Sequence, residues 1–176
     1  MDWTLECSNC GNTAAPEGLP TVCPECGRPW LVRYPARTHP VTERAEVRRR
    51  HGMWRYRSFL PLAHGEEPVT LGEGDTPLLH APRLAAATGL GNIRVKDEGC
   101  NPTGSFKSRG LSAAITRAVR AGATRFTVPT AGNAGVASAA YAARAGAAVR
   151  VFAPRTTPRT ILSQIVSFGG DLVLID

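Results

Sequence analysis

The pattern of apolar and polar positions changes along the chain, and its regular part begins near residue 92. Ile93-Arg94-Val95-Lys96 reads as a strand. Ser105 to Ala121 reads as a helix, with Leu111, Ile115, Ala118 and Val119 on one face and Gly122 after its end. Phe126 to Pro129 predicts a second strand, Asn133 to Ala145 a second helix closed by Gly146, and Val149 to Ala153 a third strand. Thr157-Pro158 is a cap followed by proline at the first helical position, opening a helix that runs to Phe168 and stops at Gly169-Gly170. Leu172 to Ile175 makes a fourth strand. The order βαβαβαβ predicts an α/β fold, a three-layer, doubly wound parallel sheet with right-handed crossovers.

Upstream the texture is different. Prolines at 29, 35, 40, 61 and 68 interrupt the chain, and only Val41 to His51 has the pattern of a short helix, with Thr42 as its cap. We read residues 31–70 as a linker packed on something larger, and 71–176 as the start of the α/β body. The sequence stops at Asp176, directly after a strand, so the expectation is the N-terminal portion of a longer domain whose remainder would cover the second face of the sheet.

The first thirty residues carry four of the five cysteines, as Cys7-x2-Cys10 and Cys23-x2-Cys26 with twelve residues between the pairs. Two such hairpins can aim four thiolates at one tetrahedral point, which suits a closed structural zinc site. Gly11 and Gly27 each follow the second cysteine of a pair, where a tight knuckle needs a residue that tolerates positive φ. Iron in a rubredoxin-like variant is the nearest alternative, with two disulfides or free thiols behind it. Four cysteine ligands leave no open position, so the metal's role is structural. Cys100 stands apart and reads as a small buried thiol.

Composition narrows the classes. The chain has 176 residues, 43% hydrophobic and 20% charged, which excludes disordered and fibrous proteins. It has no eighteen-residue apolar run, and MDWTLECSNC lacks the basic and apolar regions of a secretory signal. The net charge is +7, but only Lys96 and Lys107 among the 21 basic residues are lysine, a skew that base composition alone can produce. The Arg44 to Arg57 stretch has no aromatics at a stacking spacing, so we read it as a solvated connector rather than a nucleic-acid patch. The four histidines show no ligand spacing and read as loop residues.

In open α/β sheets chemistry sits in the loops that leave the carboxyl ends of strands. The loop from Asn101 to Gly110 puts Lys107 in the first turn of a helix, where the dipole and unpaired N–H groups disfavour an ammonium. A neutral amine is what attack on an aldehyde carbon requires. The loop Thr130-Ala131-Gly132-Asn133-Ala134-Gly135 brings backbone N–H groups at a helix start within reach of an anion, with the Asn133 amide beside them. Each loop taken singly also suits a plain turn and cap.

Together the two loops resemble those of the fold type II pyridoxal-phosphate enzymes, the tryptophan synthase β-like superfamily, and within it the threonine synthases. Further matches are Met53-Trp54-Arg55-Tyr56-Arg57, Leu71-Gly72-Glu73-Gly74-Asp75-Thr76-Pro77-Leu78, Val95-Lys96-Asp97-Glu98 and Ala140 to Gly146. The four-cysteine ribbon is similar to one carried by some threonine synthases. The resemblance implies that Lys107 bonds the aldehyde of pyridoxal 5'-phosphate and moves protons on the substrate, and that Asn133 hydrogen-bonds the cofactor's 3′-oxygen. It implies that Thr130, Ala131, Gly132 and Ala134 cradle a substrate carboxylate, with Ser105 and Asn101 shaping the lysine loop. Cys7, Cys10, Cys23 and Cys26 would hold Zn(2+).

The implied reaction is conversion of O-phosphohomoserine to threonine and phosphate. The implied setting is a cytoplasmic homodimer acting on a small amino acid, with no nucleic-acid or membrane partner. Two positions depart from many relatives: Ser108 stands where Asp commonly follows the lysine, and Ala131 where a hydroxyl residue is common. Both bear on substrate contacts, so a β-replacement or a serine/threonine dehydratase activity is the alternative enzyme. A non-catalytic ribbon protein that keeps the loops is the other. The Gly-rich loop that binds the cofactor phosphate in this family has no counterpart in these residues, and we expect no activity from them alone.

Overall fold

The computed structural model describes residues 3–34, 50–63 and 65–176. The helix expected over Val41 to His51, His39 and His64 fall wholly or largely outside them.

At the N-terminus, β1 (Thr4–Cys7) pairs antiparallel with β2 (Thr13–Ala14) on one side and β3 (Trp30–Arg33) on the other. Trp3, Leu5 and Cys7 alternate inward, as the two-residue period of a strand demands. A paired Glu6 and Arg33 close the outer face with bonds of 2.9 and 3.1 Å. The small sheet therefore runs to Arg33, slightly beyond the boundary drawn from the cysteines.

Residues 50–78 are less irregular than the prolines suggest. A 3-10 helix over Met53–Phe59 buries Met53 and Trp54, and these pack with Leu62, Leu60 and, far along the chain, Ala113. Arg55 and Arg57 are ion-paired with Asp75 at 3.0 Å and Glu67 at 3.6 Å. They are packed rather than solvated, which corrects the connector reading for this part of the arginine stretch. His51 also leans on Asp75, at 3.4 Å, and His80 lies in a strand, not a loop.

That strand, β4 (Leu78–His80), pairs antiparallel with β5 (Arg94–Lys96), and α1 (Pro82–Thr88) spans the connection between them. Pro82 begins α1, and Gly89 in the left-handed region ends it. Here the expectation from sequence fails, because β5 was read as the first strand of the parallel sheet. Its residues are all exposed, and Arg94 and Lys96 flank a single Val95. A strand of a parallel sheet is covered on both faces and needs a nearly continuous apolar run, which this one lacks.

The parallel sheet contains β6 (Arg125–Pro129), β7 (Ala148–Pro154) and β8 (Asp171–Ile175) in that order. The helices α2 (Lys107–Arg120), α3 (Asn133–Arg144) and α4 (Arg159–Ser167) lie within a residue or two of their expected bounds. Pro158 serves as the cap of α4 rather than its first residue. Burial is continuous from Gly135 to Ala142, because α3 is sandwiched between α2, α4 and the sheet. Small side chains make that possible. Ile115 of α2, Val136, Ala139 and Tyr141 of α3, Val149 and Val151 of β7 and Ile165 of α4 form one core. Burying side chains of this size stabilises by about 1.5 to 3 kcal/mol each for the larger ones. Two packed helices thus each begin with a residue singled out from sequence, Lys107 for α2 and Asn133 for α3.

Candidate active site and metal centre

Lys107 sits between an aromatic ring and a pinned loop. Its ammonium nitrogen lies 4.7 Å from the centroid of the Phe106 ring, which is itself exposed. Its backbone N–H donates to the Ser105 hydroxyl at 3.4 Å. Ser105 is buried, so this hydroxyl faces the lysine's own turn.

The loop before the lysine is held at several points. Asn101, buried, donates its amide to the Glu98 carboxylate and to the Glu98 carbonyl, both at 2.9 Å, and accepts from the Gly74 N–H at 3.1 Å. Arg109 grips the same carboxylate with two bonds, 2.6 and 2.7 Å, and Thr76 adds a third donor at 2.7 Å. The Arg109 guanidinium beside Glu98 holds its carboxyl down to about 2. The 71–78 segment, β5's exit and the first turn of α2 are therefore tied by one carboxylate.

Ser108 is wholly buried. It accepts from the Thr103 N–H at 3.2 Å and shares a 2.7 Å bond with the Thr103 hydroxyl. The position where this sequence departs from relatives is thus a buried one, bonded to its own loop. Tyr141 donates to Glu73 at 2.6 Å. Glu73 is fully buried and also receives Trp54 Nε1 at 2.7 Å, the Ser112 hydroxyl at 2.6 Å and the Leu71 N–H at 3.0 Å. Burial pushes the Glu73 carboxyl up, but the Ser112, Tyr141 and backbone donors outweigh it and hold it below the usual range. Burial and the Glu73 charge push the Tyr141 phenol well up, so it stays protonated as a donor. An ionised acceptor fixes the direction of this bond, from Tyr141 to Glu73.

On the second loop, Thr130 turns its hydroxyl back to accept the Gly132 N–H at 3.2 Å, and its own N–H donates to Phe152 O of β7 at 2.9 Å. Gly132 caps α3 in extended conformation, while Ala131 and Asn133 are exposed and Ala134 is half-buried. Space is open around both loops, since a Cβ built on Gly104 or Gly132 meets nothing within 4 Å. A primary amine, an exposed amide and backbone N–H groups at a helix start are of the kind that fit the aldehyde side of a pyridine-aldehyde cofactor.

Glu73, Thr76, Glu98, Arg109 and Tyr141 were not singled out from sequence, although several lie in the matching motifs. Their signal is a polar side chain inside an otherwise small or apolar run, as with Tyr141 among the alanines of α3. Cys100 is exposed, with its thiol against Asp97 at 3.5 Å, so it is not the buried residue expected.

The ribbon cysteines converge. The sulfur atoms of Cys7, Cys10, Cys23 and Cys26 all lie within 4.8 Å of one another, with separations of 3.3, 3.6 and 3.7 Å among the closer pairs. None of the five cysteines is in a disulfide. Four sulfurs about 2.3 Å from a tetrahedral zinc lie roughly 3.8 Å apart, so the set fits that ion. Backbone N–H groups of Cys10 and Asn9 lower the Cys7 thiol to about 6, favouring the thiolate that binds metal. Gly11 and Gly27 have φ of 72° and 69°, the geometry the knuckles require. The Asn12 amide approaches Cys23 Sγ at 3.8 Å.

Comparison with known proteins places these loops. A family model described as pyridoxal-phosphate dependent enzyme matches residues 69–176, more than half of the chain. The chain belongs to the pyridoxal-phosphate-dependent enzyme family. Among curated relatives, the threonine synthase of Mycobacterium leprae is 44% identical over 122 residues, covering 69% of this chain and 34% of that protein. The threonine synthase of Methanocaldococcus jannaschii is 36% identical over 172 residues, covering 96% and 42%. The chain spans roughly a third to two fifths of the length of these relatives. Solved structures of a pyridoxal 5'-phosphate-dependent aspartate racemase and of O-ureido-L-serine synthase are 28% identical, each with a TM-score of 0.55. They cover 57% and 65% of this chain and 32% and 36% of their own chains. These neighbours share the α/β fold with a parallel sheet that the family is built on, and the matched segment contains both candidate loops. Among the described residues, no helix is long and apolar enough to cross a membrane.

Proposed function

We propose that the protein from which these residues come is a threonine synthase, releasing phosphate from O-phosphohomoserine and adding water to form threonine. The observation that carries the reading is Lys107 as the first residue of α2, with its loop pinned through Glu98, in a chain 44% identical to a threonine synthase across that region. Pyridoxal phosphate, when bound, supplies the electron sink that stabilises substrate carbanions. Lys107 would hold the cofactor through Nζ and would carry protons between substrate carbons at that atom. Asn133 orients the ring through its exposed amide. Ala131, Gly132 and Ala134 would line the cradle for the substrate carboxylate, with the dipole of α3 behind them and the Gly132 N–H held by Thr130. Thr130 and Ser105 act one step back, since their hydroxyls bond the loops' own N–H groups.

In this reading residues 1–30 form a zinc ribbon, 31–70 pack against the body and 71–176 open the catalytic domain. The enzyme works as a cytoplasmic homodimer. A dehydratase or β-replacement activity is the competing assignment, because O-ureido-L-serine synthase and a threonine deaminase from Solanum lycopersicum are each 28% identical to this chain. Steady-state assays of the full-length protein on O-phosphohomoserine, threonine and O-substituted serines decide between them. Turnover of the phosphoester with threonine as product supports the proposal. Ammonia release from threonine with no phosphate release contradicts it.

A further inference from the structure

We propose that the ribbon is an intramolecular brace for α2, the helix that begins with Lys107, and that its metal controls the brace through Arg117. Arg117 lies in the last turns of α2, ten residues after Lys107. Its Nη2 donates to the carbonyl of Pro16 at 2.6 Å and reaches that of Gly18 at 3.4 Å. Its guanidinium stacks over the Trp3 ring at 5.1 Å. Three contacts from one side chain thus join α2 to two separate strips of the ribbon.

Both carbonyl acceptors lie in the arm between Cys10 and Cys23. That arm pairs with β1 only at Thr13–Ala14 and closes onto the rest of the ribbon through Val22 and Cys23. Between those points, residues 16–18 are outside any strand. The four-sulfur centre is therefore what fixes the returning half of the arm, and through it the acceptors for Arg117. Pro16 is buried and Trp3 is 5% exposed, so the ribbon turns one of its two indole rings toward α2. A ribbon built to read nucleic acid would present such a ring outward for stacking.

At its other end the same helix is gripped by Glu98 through Arg109 and by Glu73 through Ser112; at the Arg117 end Arg120 also bonds the Glu67 carbonyl at 2.8 Å. The C-terminal turn itself rests on Ala121 N–H to Arg117 O at 3.0 Å and Gly122 N–H to Val119 O at 2.9 Å. Those amides report directly on whether the brace is engaged.

The inference rests on the metal-ribbon reading, and the test separates the two. Hydrogen exchange of residues 117–123 is followed in the full-length protein as purified, after chelation with metal content measured, and in the metal-replete R117A and R117K variants. Chelation and R117A should each speed exchange of these amides about tenfold, the loss expected for one charge-assisted bond, with R117K intermediate. R117A should retain its metal. Unchanged exchange in R117A overturns the brace. Faster exchange in R117A with none on verified metal loss overturns the metal's control of it. A protein purified without zinc or iron, its four thiols freely titratable, removes the metal-ribbon reading, while the R117A arm still decides the contact.

Discussion

The phenol of Tyr141 donates to the fully buried carboxylate of Glu73 at 2.6 Å, joining α3 to the segment that precedes β4. Tyr141→Phe keeps the ring and removes one donor from a buried anion. It should lower the stability of the full-length protein by about 1 to 3 kcal/mol, read as a shift in the denaturant midpoint. Glu73→Ala should cost more, since it removes the acceptor that Trp54, Ser112 and Tyr141 share.

The Glu98 and Arg109 pair sets a pH dependence of known sign. The folded carboxyl lies at about 2 against an ordinary 4.5, so its stabilisation is complete above the higher value and is lost as pH falls toward the lower. Wild type and E98Q should therefore differ in stability at neutral pH and converge on acidification through that window. Urea unfolding at a series of pH values checks this; a constant difference down to pH 2 contradicts it.

Gly135 marks where α3 touches the substrate-side loop. A Cβ there would lie 2.7 Å from Thr130 Cγ2 and 3.1 Å from both Val151 Cγ1 and Ile165 Cδ1. Alanine gains about 1 kcal/mol in helix propensity, but overpacking against three stiff β-branched side chains costs about 1 to 3 kcal/mol. Gly135→Ala should destabilise the protein and weaken substrate binding more than it weakens cofactor binding. Thermal denaturation and separate titrations of cofactor and substrate measure the two effects.

The parallel half of the fold was legible in the sequence because its signals are local. Helices α2, α3 and α4 carry their own periodicity and end at glycines, and β7 and β8 are apolar runs between them. The β4 and β5 pairing was not: β5 reads as a strand but its partner is the three-residue β4 in an antiparallel ribbon, not the parallel sheet. The Met53–Phe59 turn was hidden for a different reason: its partners, Glu73, Ser112 and Ala113, are twenty to sixty residues away. At the candidate site, Lys107 and Asn133 stand out by their place at helix starts. The carboxylates that hold them are visible only once the chain is folded.

The ribbon should bind one zinc per chain through its four thiolates. Cys23→Ser should abolish stoichiometric metal and make the remaining ribbon thiols reactive. Metal analysis with thiol titration of the full-length protein checks both, and full metal content in the variant would contradict the four-sulfur assignment.

The most direct measurement is the site of covalent attachment of pyridoxal phosphate. The full-length protein is mixed with the cofactor, reduced with borohydride and mapped by peptide mass. A single reduced adduct at Lys107, absent from a folded K107A variant, is the expected result. An adduct at Lys96, whose amine is engaged by the Thr76 carbonyl, or one that persists in K107A, would contradict the assignment.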